Sequence, residues 1–126
     1  YGDGTQDIID RLKLDNVVKH FTAGSKFRHP DQAKEFLKLL PKIVGVIASR
    51  SNVILYQAGA DCHIDDPLGG WLTTEQMIER DRIVFETCAE YGVPVAWNLA
   101  GGYQDPVSKV VTLHVNTMVE CLKVYG

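Results

Sequence analysis

Asp61, His63, Asp65 and Asp66 crowd together directly after the apolar run "NVILYQ" (52–57), and Pro67, Gly69 and Gly70 follow them. Carboxylates and imidazoles are hard or borderline ligands. An acid at the carboxyl end of a buried strand is therefore placed to bind a metal cation. The same residues also suit an acidic turn whose aspartates cap the next helix and bond loop amides. His63 reads better as a loop residue, or as support behind a ligand, than as a ligand itself. A second constellation, "NLAGGYQ" (98–104), sets Gly101 and Gly102 before Tyr103. Two glycines let the backbone turn sharply and leave room for a ligand. A tyrosine hydroxyl beside a metal can donate to a developing oxyanion, and losing one such donor typically costs ~10²–10³ in rate. The competing role for Tyr103 is a ring packed under the turn with its hydroxyl partnered. His20, His29 and His114 show no ligand spacing.

The elements that must position these residues follow from periodicity and punctuation. "NVVKHF" (16–21) reads as a short strand and "TAGSKFRHP" (22–30) as a loop. Residues 31–50 have helical spacing, with Ala33, Phe36, Leu37, Leu40, Ile43, Val44 and Ile47 along one face. Pro41 predicts a kink or a split there. The runs at 52–57 and 93–99 lack alternation and are bounded by turn residues, the pattern of parallel strands buried on both faces. Between them, 72–92 predicts a helix opened by a Thr73–Gln76 capping box and closed by Gly92 before Pro94. A last helix over 107–125 carries the apolar stripe Val107, Val111, Val115, Met118 and Leu122. The alternation of strand and helix predicts an α/β fold with a parallel sheet, in a single domain over 1–126. Ligands of such sheets bind at carboxyl strand ends. The loops 58–71 and 100–105 follow consecutive strands and should open on one sheet edge.

Composition narrows the function classes. The chain has 126 residues, 45% hydrophobic and 23% charged, with a net charge of −3 and a pI near 5.7. With no Lys/Arg cluster, that balance argues against nucleic acid as a partner. No apolar stretch approaches a membrane span. Three separated cysteines, Cys62, Cys88 and Cys121, form no CxxC pair, so neither a disulfide framework nor a thiolate zinc site is expected. Cys88 and Cys121 fall in helical patterns as core thiols, and the reducing cytoplasm is the expected compartment.

In combination the motifs resemble a known family. "AGADCHIDDPLGGW" (58–71) resembles the acidic loop of the zinc-dependent histone deacetylase and acetylpolyamine amidohydrolase family, and "LAGGY" (99–103) is similar to its glycine–tyrosine turn. "YGDGTQDI" (1–8) resembles the segment that follows the family's D-x-H metal motif. The resemblance implies an arginase/deacetylase-like fold, a three-layer arrangement of parallel sheet flanked by helices. It implies a zinc ligand at Asp61 and a transition-state tyrosine at Tyr103. It further implies a channel wall at Leu68, Gly101 and Gly102, and loop-shaping roles for Asp66 and Pro67. Zinc of this kind polarises an amide carbonyl and acidifies its bound water, while a histidine moves the proton to the leaving amine. The implied substrate is an acetylated amine. His63 stands where related ureohydrolases carry the second aspartate of D-x-D, which favours one zinc over two manganese ions.

Departures from the family pattern shape the remaining expectations. The family's D-x-H ligands, expected immediately before Tyr1, and the paired histidines that supply the base are absent, "FTAGSKF" (21–27) is short for the channel segment, and Ala100 replaces a frequent glutamate. The resemblance thus implies the carboxyl-terminal portion of a deacetylase, inactive alone, with zinc weak or absent. Its expected partner is the missing amino-terminal portion or a second copy in a homodimer. The alternative from another class is a non-catalytic α/β binding or assembly module derived from that fold.

Overall fold

A computed structural model describes residues 11–13 and 30–126. The strand and loop expected over 16–29, and the segment 1–8, lie outside the described residues. After a 3-10 turn at Pro30–Gln32, the order is α1 (Ala33–Ala48), β1 (Ile54–Gly59), α2 (Thr74–Glu90), β2 (Val95–Ala100) and α3 (Ser108–Tyr125). β1 and β2 pair in parallel, from Ile54 opposite Val95 to Gly59 opposite Ala100. Both strands start about two residues later than the apolar runs suggested. No helix among the described residues is long and apolar enough to cross a membrane.

Helix ends follow local chemistry. Thr73 accepts the Gln76 N–H, and the Gln76 side chain accepts the Thr73 N–H, so the expected capping box is present. At the far end Gly92 adopts φ +64°, its N–H returns to Ala89 O at 3.0 Å, and the Val93 N–H returns to Cys88 O at 3.0 Å. That pair of bonds is a Schellman close, which needs the left-handed residue that glycine supplies. Pro41 does not split α1. The helix runs through it as one element, with Leu37, Leu40 and Val44 buried on one side and Pro41 exposed on the other. The apolar face supplies tertiary packing where the proline removes one backbone bond.

The three helices share one face of the sheet. Leu37, Leu40, Val44, Val84 and Cys88 pack with Ile54, Tyr56 and Val95, while Phe85 meets the rings of Tyr56, Trp97 and Tyr125 edge-on. A second cluster under the loop after β1 joins Ala60, Trp71, Leu72 and Met77 to Val110 and Leu113. The opposite sheet face is open among the described residues, with Leu55 82% exposed and Leu99 51% exposed. This corrects one expectation, since the strands are not buried on both faces here. The described part has two layers. Helix α3 corrects a second expectation. Its sequence stripe Val107, Val111, Val115, Met118 and Leu122 faces outward, and Val110, Leu113, Thr117 and Glu120 face the core.

Two substitutions on α3 test this inversion by urea unfolding. Leu113→Ala should lower stability by ~2–5 kcal/mol through a core cavity. Leu122→Ala, on the outward stripe, should change it by no more than about 0.5 kcal/mol.

Candidate functional site

Parallel pairing of adjacent strands brings the two unusual loops to one sheet edge. Asp61 lies two residues beyond β1, and Gly101, Gly102 and Tyr103 follow β2 directly. Ala60 continues the ladder by donating to Ala100 O at 2.8 Å. The half-buried Asp61 carboxylate occupies space that two glycines leave empty. A Cβ on Gly59 would come within 2.8 Å of Asp61 Oδ1, and one on Gly101 within 2.7 Å of Oδ1 and Cγ. Gly101 also adopts φ +58°, a conformation disfavoured for L side chains. The next residue, Gly102, packs so tightly on α3 that a Cβ would lie 2.4 Å from Val110. These glycines set how closely the second loop approaches the first.

Asp66 joins the two loops. It is 4% exposed, and its Oδ1 accepts the Leu68 N–H at 3.0 Å while Oδ2 accepts the Tyr103 N–H at 2.8 Å. The first bond folds the chain over exposed Pro67, and the second fixes the backbone of Tyr103. The Tyr103 side chain itself is 58% exposed, and Leu68 is exposed beside the same turn. His63 is engaged internally. Its Nδ1 accepts the Asp65 N–H at 3.1 Å, so the proton sits on Nε2, which donates to Thr74 Oγ1 at 3.0 Å. With both ring nitrogens used, His63 shapes the loop. Asp65 is exposed. A cavity of about 220 Å³ is lined by His63, Asp65, Thr74, Gln104 and Lys109, and neither Asp61 nor Tyr103 borders it.

A buried polar network underlies this edge. Sequence reasoning placed a helix over 72–92 and did not single out Arg80 or Asp81 within it. Arg80 Nη1 donates to Gly59 O at 2.7 Å and lies 2.9 Å from Cys62 Sγ, and its Nε donates to Asp81 Oδ1 at 2.7 Å. Nη2 is also 2.7 Å from Oδ1, an ion-pair contact without hydrogen-bond alignment. Asp81 Oδ1 accepts the Tyr56 hydroxyl, and Oδ2 accepts that of Thr117 at 2.6 Å. Burial pulls the guanidinium's pKa down, but the surrounding Tyr56, Cys62 and Asp81 outweigh it and hold Arg80 above its ordinary value. Burial likewise pushes the Cys62 thiol up, against the pull of Arg80, so Cys62 stays protonated and donates to Gly59 O at 3.3 Å. The signal that could have found this network is helical spacing: Arg80 and Asp81 share the face of Met77, Val84 and Cys88.

Asp61 fits one position of a metal site. No hydrogen bond or ion pair from the described residues engages its carboxylate, and the glycines keep its surroundings open. A complete ligand set does not arise here, since no group of three or more His, Cys, Asp or Glu among the described residues could hold a metal ion. The arrangement can therefore supply one carboxylate and one tyrosine to a shared edge.

Comparison with known proteins bears on this geometry. A family model described as the histone deacetylase domain matches residues 13–118. An uncharacterized protein of Picosynechococcus sp. is 35% identical over 66 residues, which is 52% of this chain and 22% of that relative. The matched stretch thus spans less than a quarter of that relative's length.

Gly101→Ala should destabilise the chain more than Gly69→Ala. Both positions have positive φ, +58° and +88°, and each should cost about 1–3 kcal/mol in backbone strain. Only Gly101 adds a collision with Asp61, because nothing lies within 4 Å of a Cβ on Gly69. Urea unfolding of the two variants measures the difference.

Proposed function

The chain belongs to the histone deacetylase domain family, and from that premise we propose that it is the carboxyl-terminal portion of a zinc-dependent deacetylase acting on acetyl-lysine or acetylpolyamine amides. The observation that supports this best is the Asp61 carboxylate. It is set between Gly59 and Gly101 and free of partners among the described residues, on the same sheet edge as Tyr103. In this reading Asp61 is one zinc ligand, and the other ligands and the histidine base come from outside this chain. Bound zinc would supply Lewis acidity to the amide carbonyl and a reactive water. Tyr103 would donate its hydroxyl to the oxyanion of the tetrahedral intermediate, from a backbone anchored by Asp66. Leu68, Gly101 and Gly102 would form the wall along which an acylated amine enters, with Asp66 and Pro67 holding the loop's shape.

The reading extends to assembly. The sheet face of Leu55 and Leu99 and the outward stripe of α3 are the apolar surfaces that a missing amino-terminal portion, or a second copy of the chain, would cover. That cover would complete the three-layer sheet, and the cytoplasm is the compartment that suits the free thiols. A non-catalytic binding or assembly module is the second reading. Zinc uptake when the missing portion is supplied in trans separates the two, because only the deacetylase reading expects it.

Alone, the chain should show no turnover of acetyl-lysine peptides or acetylpolyamines and should bind zinc weakly, since one carboxylate does not complete a tetrahedral site. Metal analysis and a deacetylation assay check this. Tight stoichiometric zinc with turnover would contradict the division of ligands. In the complemented protein, Tyr103→Phe should lower kcat by ~10²–10³.

A further inference from the structure

Both flanks of the turn that carries Asp61 end on one guanidinium. Arg80 Nη1 holds Gly59 O at 2.7 Å on one side of Ala60-Asp61 and Cys62 Sγ at 2.9 Å on the other. The Cys62 thiol closes the same turn on Gly59 O. The direction in which Asp61 leaves the backbone is therefore tied to the position of that nitrogen. A guanidinium is a rigid planar fork, so Nη1 cannot shift without Nε and Nη2, and both of these are held 2.7 Å from Asp81 Oδ1. Asp81 is in turn fixed by Tyr56 of β1 and Thr117 of α3.

We propose that Arg80 is a positioning residue for Asp61, aiming the carboxylate through the Gly59–Cys62 turn without itself touching metal or substrate. This rests on the reading of Asp61 as a zinc ligand. Stability alone explains the arrangement poorly, because desolvation offsets much of the attraction in a buried ion pair, and a long apolar residue could fill the same space. An apolar side chain could not grip acceptors on both sides of Asp61. Groups that orient a metal ligand from behind commonly alter metal affinity by about 10–100-fold.

The test uses the complemented protein, in which the remaining ligands are present, and zinc alone. Amide NMR follows the Ala60, Asp61 and Gly101 signals through a zinc titration, with urea unfolding in parallel. Arg80→Met should unfold cooperatively yet shift those amides before metal is added, and its zinc affinity should fall about 10-fold or more. Arg80→Lys should recover part of the loss, since an ammonium can reach one acceptor. If Asp61→Ala abolishes the zinc response while Arg80→Met leaves it unchanged, the positioning role is overturned and the reading of Asp61 stands. If Asp61→Ala leaves the response intact, that reading falls and the positioning role falls with it. Should Arg80→Met fail to fold, Thr117→Val replaces it, loosening Asp81 while keeping every charge. Weakened zinc binding in Thr117→Val supports the role, and wild-type affinity overturns it.

Discussion

The Asp81 carboxylate collects a hydroxyl from β1, a guanidinium from α2 and a second hydroxyl from α3. A buried carboxylate is costly unless its oxygens are occupied and its charge is paired. Here Arg80 supplies the charge, and Tyr56 and Thr117 supply the remaining donors. The cost of leaving any of them unpaired makes the relative placement of the three elements a single constraint. Burial, reinforced by the Asp81 charge, holds the Tyr56 pKa well above its ordinary value, so the phenol remains a donor. Tyr56 therefore stays a donor and Arg80 stays charged across the ordinary pH range.

That constraint explains the orientation of α3. Thr117 must face inward to reach Asp81, and helical periodicity then turns Val110, Leu113 and Glu120 inward with it. The more continuous apolar stripe, from Val107 to Leu122, is left outside. Hydrophobic periodicity selects the face with the greater apolar content and gives no weight to a hydroxyl needed by a distant carboxylate. The same reasoning accounts for Glu120, which is inward on this rotation and bonds Lys123 Nζ at 2.6 Å.

Features that depend on local chemistry were legible in the residues. The Thr73–Gln76 box, the Gly92 close and the alternation of strand and helix each need only a few neighbouring side chains, and they appear where the residue types placed them. Features that depend on what lies across space were not. "NVILYQ" contains enough apolar residues for two buried faces, but which face is covered depends on elements distant in sequence. Here Ile54 and Tyr56 meet helices while Leu55 is open. Pro41 is a breaker by local rule, and α1 passes through it on the strength of a packed face. At the site, the motifs gave the order and the common edge of Asp61 and Tyr103. The Asp66 bridge required knowing that a side chain of the first loop meets a backbone amide 37 residues later. Arg80 and Asp81 were hidden in "ERDR", a run that by composition reads as a solvated face.

The candidate site is held from two directions, by one tether from α2 and one from the segment joining β1 to α2. Arg80 grips the turn of Asp61 from below, and Asp66 grips the turn of Tyr103 from the side. Neither tether passes through the exposed Tyr103 ring or the Asp61 carboxylate, and no hydrogen bond or ion pair among the described residues occupies either group. Glycines at 59, 101 and 102 remove the side chains that would otherwise separate the two turns. The approach of the two turns is therefore a property of this chain's own packing. In the proposed function, that division assigns geometry to this part of the fold and the remaining ligands and base to another. Preorganisation of this kind is useful when an oxyanion donor must already be in place as charge develops, because reorganising it during the reaction would cost rate. A buried ion pair adds little net stability over a well-packed apolar replacement, so its place behind the turn of Asp61 accords with the positioning role proposed for Arg80.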